Sequence, residues 1–242
     1  MTNLFGEFVG TFVLCSFGCG VVADVLLKKS KGEGAGWMEI NVGWGLAVMM
    51  GVFAAVSTGA PQADINPAVT MAKVFMGVYS MSHALTTMVA QTAGGFAAGC
   101  VVWLIYLPHW KVTEDKGAKL GIFSTGPAIL DPVANFLCEF IVTIFLVLGI
   151  FFIVKSAEGQ TIPFWAVPYL VGGLVCALGM SFGGPTGYAI NPARDLGPRL
   201  AHAALPIAGK GGSDWGYAWI PVAAPLCGGA VAFFIGRAIG IL

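Results

Sequence analysis

The sequence predicts an all-α membrane protein with six transmembrane helices and two re-entrant half-helices, arranged as an inverted repeat. Of the 242 residues, 57% are hydrophobic and only 10% are charged, whereas a soluble domain has about 25% charged residues. Six apolar runs are each long enough to cross a bilayer, which takes about 20 residues. The tetrapeptide Ile-Asn-Pro-Ala occurs once in each half of the chain.

The composition excludes several classes of protein. So few charged residues cannot cover a water-facing surface, which argues against a soluble enzyme or a disordered chain. Twelve basic residues balance twelve acidic ones, so no net positive field would attract a nucleic acid. The cysteines lie inside apolar runs and are interpreted as small buried hydrophobic residues rather than disulfides or metal ligands. They are Cys15, Cys19, Cys100, Cys138, Cys176 and Cys227.

The six apolar runs are separated by polar connectors, of which the longest is residues 107–131. Abundant glycine, 35 residues in all, is typical of membrane helices that pack closely. The predicted spans are residues 4–27, 37–58, 81–106, 132–154, 163–182 and 217–239.

Two further stretches, residues 59–80 and 183–216, are too apolar for ordinary loops and too broken by Gly, Pro and Asn for full spans. Asn is a strong helix N-cap, and Pro is favoured at the first helical position. The repeated motif therefore predicts two short helices, Pro67 to Gly77 and Pro192 to about Ala203, each covering about half the apolar core. The motif residues are Asn66, Pro67, Ala68, Asn191, Pro192 and Ala193.

The two halves of the chain share one plan. Glu7-x-x-x-Thr11 opens the first half, and Glu139-x-x-x-Thr143 opens the second. Each half carries three spans, an odd number, so the second half enters the bilayer from the opposite side. The predicted repeats cover approximately residues 1–110 and 131–242, joined by the loop 107–131. The N-termini of the half-helices would meet near the midplane, where their dipoles repel cations and the Asn amides offer hydrogen-bond donors.

These motifs resemble the aquaporins, or major intrinsic proteins, over essentially the whole chain. The run from Asn191 to Arg199, with Asp195 in place of a small residue, and the pair Pro225-Leu226 are similar to the glycerol-conducting branch of that family. The resemblance implies a single channel domain over residues 1–242. It also implies a multi-pass protein of the plasma membrane, in contact with lipid, that assembles as a homotetramer.

The resemblance also implies a selectivity filter made of Trp44, Gly179, Tyr188 and Arg194. In the family this Arg lies at the narrowest part of the pore, where it holds a solute hydroxyl and opposes cations. Trp44 and Tyr188 would form an apolar corner for a carbon chain, and Gly179 would leave room that a His fills in a water-specific pore.

Four acidic residues are assigned supporting roles. Glu7 and Glu139 lie near helix starts and are expected to accept hydrogen bonds from the backbone of the re-entrant loops. Asp195, next to Arg194, is interpreted as half of an acid–base pair near mid-membrane. Asp64 stands where members of the family commonly have His, which makes the selectivity and pH response of the inner vestibule open questions.

The expected function is passive conduction of glycerol and other small uncharged solutes, with some water and without protons or ions. A channel for protonated lactic acid or similar small acids is an alternative, and a coupled secondary transporter is another, since transporters also use inverted repeats. No enzyme activity and no cofactor or metal are expected, because His83, His109 and His202 are scattered without catalytic or metal-ligand spacing.

Overall fold

Ten α-helices build the protein. The computed structural model describes residues 3–242, so the first two residues of the predicted domain lie outside the described part. The described residues contain helices and connecting segments but no strand. The helices are α1 (Leu4–Leu26), α2 (Trp37–Ser57), α3 (Pro67–Phe75), α4 (Met81–Ile105), α5 (His109–Val112), α6 (Lys116–Phe123), α7 (Pro132–Glu158), α8 (Val167–Phe182), α9 (Pro192–Ala204) and α10 (Ile220–Ala238).

The six predicted spans are confirmed. Among residues 3–242, six helices are long and apolar enough to cross a membrane, and they correspond to α1, α2, α4, α7, α8 and α10. A 3-10 turn at Phe164–Ala166 leads into α8. The largest difference from the prediction is the end of α7, which continues to Glu158 rather than 154.

Helices α3 and α9 are the two half-helices. The first has 9 residues and the second has 13, so at 1.5 Å per residue they are roughly 14 and 20 Å long. Neither can cross an apolar core of about 30 Å. Helix α3 ends at Phe75, two residues before the predicted Gly77, and α9 ends one residue later than predicted, at Ala204.

The long connector 107–131 is not a plain loop, because it holds the short helices α5 and α6. Its apolar side chains form a small core with the rest of the protein: the rings of Trp110 and Phe123 lie 5.8 Å apart, and both are buried. Lys119 is also buried and donates a hydrogen bond to the carbonyl of Ala208. Burial lowers the pKa of the Lys119 ammonium.

The two halves of the fold exchange their half-helices. Within the first half α1 packs on α2 and α4, and within the second α7 packs on α8 and α10. However, α3 packs on α10, and α9 packs on α4. Glycines allow these contacts: a Cβ on Gly229 of α10 would lie 2.2 Å from the carbonyl oxygen of Ala68, and one on Gly95 of α4 would lie 2.7 Å from that of Ala193.

Candidate functional site

The two Ile-Asn-Pro-Ala motifs are joined at the centre of the fold by reciprocal hydrogen bonds. Asn66 Nδ2 donates to the carbonyl of Ile190, and Asn191 Nδ2 donates to the carbonyl of Ile65, both at 2.8 Å. The Oδ1 atoms of the same side chains cap the half-helices, that of Asn66 accepting from the Ala68 N–H at 2.8 Å. Each amide retains one further N–H beyond this pairing.

Each Asn-Pro-Ala segment is preceded by two non-glycine residues with left-handed backbone conformations. Ala63 and Ile65 have φ values of 42° and 44°, and Tyr188 and Ile190 have φ values of 41° and 44°. This conformation is unfavourable for a branched residue such as Ile. Surrounding contacts must therefore hold both re-entrant loops in place.

Two buried glutamates supply those contacts. Glu139 accepts hydrogen bonds from the backbone N–H groups of Ala189 and Ile190, both at 2.9 Å. Glu7 accepts the equivalent pair from Asp64 and Ile65, at 2.9 and 2.8 Å. Both glutamates therefore occupy the supporting position expected of them.

Asp64 lies in a buried ion pair at the first loop. Its carboxylate pairs with the Lys73 ammonium and accepts a hydrogen bond of 2.9 Å from Thr70 Oγ1. Lys73 also donates to the carbonyl of Gln62 at 3.0 Å. The carboxylate therefore has partners from α3 and is not a free acid in the vestibule.

The expected Arg194–Asp195 pair is not formed. Asp195 instead pairs with Arg199, Nε to Oδ1 at 2.8 Å, and both side chains are fully buried. The reason is helical geometry: residues four apart share a face, whereas adjacent residues do not. Arg199 also donates to the carbonyls of Thr125 and Ser213, at 3.0 and 2.8 Å, so this pair ties both outer connectors to α9.

A cavity of about 970 Å³ lies between the helices. Trp44, Tyr188 and Arg194 line one end, and both motif asparagines line it further along. Its other end, on the side of the chain termini, is bordered by charged residues, namely Asp64, Lys73, Lys155, Glu158 and Arg237. Much of the remaining wall is aliphatic, contributed by Val48, Val52, Leu146, Ile150, Val171 and Val175.

Three of the four predicted filter residues line the same end of this cavity. The guanidinium carbon of Arg194 lies 4.0 Å from the centre of the Trp44 ring. A Cβ on Gly18 would lie 2.1 Å from that ring, so the indole occupies space that a glycine of α1 leaves. In the part of the chain that the structure describes, Arg194 Nη1 is buried and no group accepts a hydrogen bond from it.

Gly179 does not line the cavity. It lies against the far side of the Tyr188 ring. A Cβ on Gly179 would lie 2.5 Å from Tyr188 Cζ, and one on Gly183 would lie 2.4 Å from Tyr188 Cδ1. The tyrosine ring therefore lies along two glycines, one helical turn apart on α8. Its open edge meets Trp37, with ring centres 5.9 Å apart in a T-shaped contact.

These features define a membrane channel. One cavity is lined by both motif asparagines, and the two half-helices begin at those asparagines and are joined by their reciprocal hydrogen bonds. A model of the family described as Major intrinsic protein matches residues 1–235, and the chain belongs to that family. Its members are channels, so this protein is an integral, multi-pass channel protein and not an enzyme.

Individual relatives support a finer comparison. The chain is 51% identical to glycerol uptake facilitator protein 3 of Lactiplantibacillus plantarum, over 95% of this chain and 93% of the relative. It is 37% identical to the D/L-lactic acid transporter of the same organism, over 95% and 94%. The structure of the aquaglyceroporin from Plasmodium falciparum matches with a TM-score of 0.85 and 26% identity, covering 98% of this chain and 95% of the other.

Several residues of the site were not predicted from the sequence. Lys73, Thr70 and Gln91 join Asp64 and Glu7 in one buried network, in which Gln91 Nε2 donates to Glu7 Oε2 at 2.8 Å. A polar residue inside an apolar span is a signal for such a role. That signal was available for Gln91 and also for Asn41, whose side chain lies beside Tyr188.

The buried Asp195–Arg199 pair generates a prediction about stability. Replacing Arg199 by Met leaves a buried carboxylate without its partner, which costs about 3–5 kcal/mol. We expect a clearly lower melting temperature in detergent, measured by intrinsic fluorescence. The matched control is Lys28→Met, which breaks the exposed Lys28–Glu33 pair and should leave the melting temperature unchanged. Equal effects of the two substitutions would contradict a structural role for the buried pair.

Proposed function

We propose that this protein is a passive channel of the cell membrane for glycerol and other small uncharged solutes, with some water, and that it excludes protons and ions. The observation that carries the proposal is the end of the cavity that Trp44, Tyr188 and Arg194 line. Trp44 and Tyr188 offer apolar surface there, and Arg194 offers an unpartnered donor. The 51% identity to a glycerol uptake facilitator supports the same solute.

A polyol matches this arrangement chemically. Its carbon backbone is accommodated by the two aromatic rings, while its hydroxyl groups accept hydrogen bonds from the Arg194 guanidinium. Further along, the free N–H groups of Asn66 and Asn191 provide donors for the next hydroxyl, and the aliphatic wall faces the carbon chain. Each solute therefore exchanges its hydration for protein contacts in stages.

Two features oppose ions. Arg194 carries a full positive charge at the narrowest point, and the N-termini of α3 and α9 add partial positive charge at the centre. A cation about 4 Å from a unit charge meets a barrier of about 4 kcal/mol at an effective dielectric constant of 20. Anions lose hydration against the aliphatic wall, which the few donors of the pore cannot replace.

Conduction of protonated lactic acid is a second candidate, favoured by the 37% identity to a D/L-lactic acid transporter. The Tyr188 ring and the Asp64 position are the features that could adapt the pathway to a small acid. The higher identity to a glycerol facilitator makes glycerol the preferred solute. A coupled transporter is less well supported, since the Asp64–Lys73 pair joins α3 to its own re-entrant loop and the Asp195–Arg199 pair lies within α9.

We also propose that the protein forms a homotetramer in which every protomer has its own pathway. The cavity lies entirely within one chain, so conduction does not require residues from a second copy. Many large apolar side chains remain exposed on the outside of the bundle, among them Leu46, Val89, Ile105 and Phe145. Lipid or neighbouring protomers would cover them.

Stopped-flow light scattering of reconstituted vesicles that contain a pH-sensitive dye tests the proposed function. We expect glycerol-driven swelling well above protein-free vesicles, flux linear in concentration, and no pH change inside. Lactic acid at low pH is compared in the same preparation. A proton leak comparable to the solute flux, or saturable flux coupled to a proton gradient, would contradict a passive neutral-solute channel.

Arg194→Val tests ion exclusion at the filter. Removing the charge while the half-helix dipoles remain should raise proton or cation leak about tenfold or more, with glycerol flux retained. The control is Arg237→Gln, which removes a positive charge at the inner end of the same cavity and should leave leak unchanged. If Arg194→Val excludes cations as well as the wild type does, the dipoles alone are the barrier.

Gly179→Ala tests how the aromatic wall sets the filter width. The new methyl group would lie 2.5 Å from Tyr188 Cζ, so the ring must shift toward the pore. We expect glycerol permeability to fall about tenfold and water permeability much less, because overpacking of this kind costs about 1–3 kcal/mol. The matched control is Gly173→Ala on the same helix, where no described atom lies within 4 Å of the new Cβ. Equal losses of both fluxes would contradict the role of Gly179 in setting the position of the Tyr188 ring.

A further inference from the structure

Asn41 is a buried polar residue that nothing described above uses. It lies in α2, three residues before Trp44 and inside an apolar span, and its side chain is fully buried. Within residues 3–242, neither Oδ1 nor Nδ2 of its amide has a hydrogen-bond partner. A buried amide that leaves all its hydrogen bonds unmade is costly and requires an explanation.

The hydroxyl of Tyr188 also lacks a hydrogen-bond partner within the described residues. It is buried, and no described group forms a hydrogen bond with it. Because the ring lies along Gly179 and Gly183, the hydroxyl is directed toward α2 and α8 rather than along the cavity. Its lack of accessible surface means that it does not contact a passing solute in this conformation.

The Asn41 amide and the Tyr188 hydroxyl both lie next to Gly179. The position that a Cβ on Gly179 would take is 2.2 Å from Asn41 Oδ1 and 2.7 Å from the Tyr188 hydroxyl oxygen. An amide oxygen accepts and a phenol donates, and the terminal torsion of Asn is broad and easily turned. A small rotation of the amide, or one bridging water, would satisfy both groups.

We propose that Asn41 is a positioning residue for the selectivity filter. Its side-chain amide accepts the hydrogen bond of the Tyr188 hydroxyl and so holds the aromatic wall flat against α8, away from Trp44 and Arg194. The inference rests on the proposed function in one respect: it assumes that Tyr188 borders the path of the solute. The contact itself does not depend on which solute passes.

Loss of the Asn41 amide is expected to change the orientation of the Tyr188 side chain. Without the Asn41 amide, the phenol would be buried beside apolar groups with no acceptor. Arg194 lines the same cavity, its Nη1 is a buried donor without a hydrogen-bond partner among the described residues, and a phenol oxygen accepts hydrogen bonds. The ring would then swing toward Arg194 and narrow the filter, which obstructs a three-carbon solute more than it obstructs water.

Asn41→Leu removes the amide and keeps a similar side-chain volume, and it is measured alone and together with Tyr188→Phe. We expect Asn41→Leu to lower the ratio of glycerol to water permeability about tenfold, the scale of one buried polar group left unpaired. In the Tyr188→Phe background the same substitution should change the ratio by less than about twofold, because a phenyl ring has no hydroxyl to satisfy.

The matched control is Asn135→Leu, a buried Asn whose amide is bonded to Asp131 and Ile129 near the start of α7. That control should leave the ratio unchanged.

A melting-temperature cycle in detergent on the same four proteins tests the contact without any transport. We expect the double variant to lose less stability than the two single variants together. An unchanged ratio in Asn41→Leu, an equal effect in both backgrounds, or additive melting temperatures would each overturn the positioning role. Failure of the proposed function looks different: wild-type vesicles would pass no glycerol, and the melting-temperature cycle would still show coupling. If Asn41→Leu does not fold, Asn41→Ala takes its place in both measurements.

Discussion

The reciprocal hydrogen bonds between Asn66 and Asn191 are the interaction on which the rest of the structure depends. They join two helix ends that enter from opposite sides, and each asparagine bonds the carbonyl that precedes the other. Because the same side chains cap their own helices, one residue type fixes the start of each half-helix and the contact between them. The pathway can cross the membrane beside non-helical backbone only because this centre is buried and its polar groups are satisfied.

Glycines determine where the two aromatic side chains of the proposed filter can lie. Trp44 occupies the space left by Gly18, and the Tyr188 ring occupies the space left by Gly179 and Gly183. Each aromatic ring is therefore held by backbone on the side away from the cavity. The aromatic side of the cavity is apolar, which leaves Arg194 to supply the polar contact.

Charge is neutralised within each half-helix region, and Arg194 is the exception. Helix α3 carries Lys73, which pairs with Asp64, and α9 carries the Asp195–Arg199 pair. No carboxylate in the described residues forms an ion pair with Arg194, and its guanidinium stacks on an indole instead. A buried charge without an ion-pair partner is unfavourable for stability, yet it is the feature that a neutral-solute pore requires.

The sequence by itself determined the number of spans, the two half-helices and the inverted repeat. These features depend on apolar run length and on the local capping chemistry of Asn-Pro, which neighbouring residues decide. Only the tertiary structure decided which side chains form ion pairs and contacts with one another. Asp195 pairs with Arg199 rather than with Arg194, and Gly179 supports Tyr188 instead of lining the path. Asn41 and Tyr188 are 147 positions apart in the sequence, yet both lie beside Gly179. Such contacts depend on how α2, α8 and the second re-entrant loop pack together, and no local pattern specifies which side chains a helix crossing brings within reach.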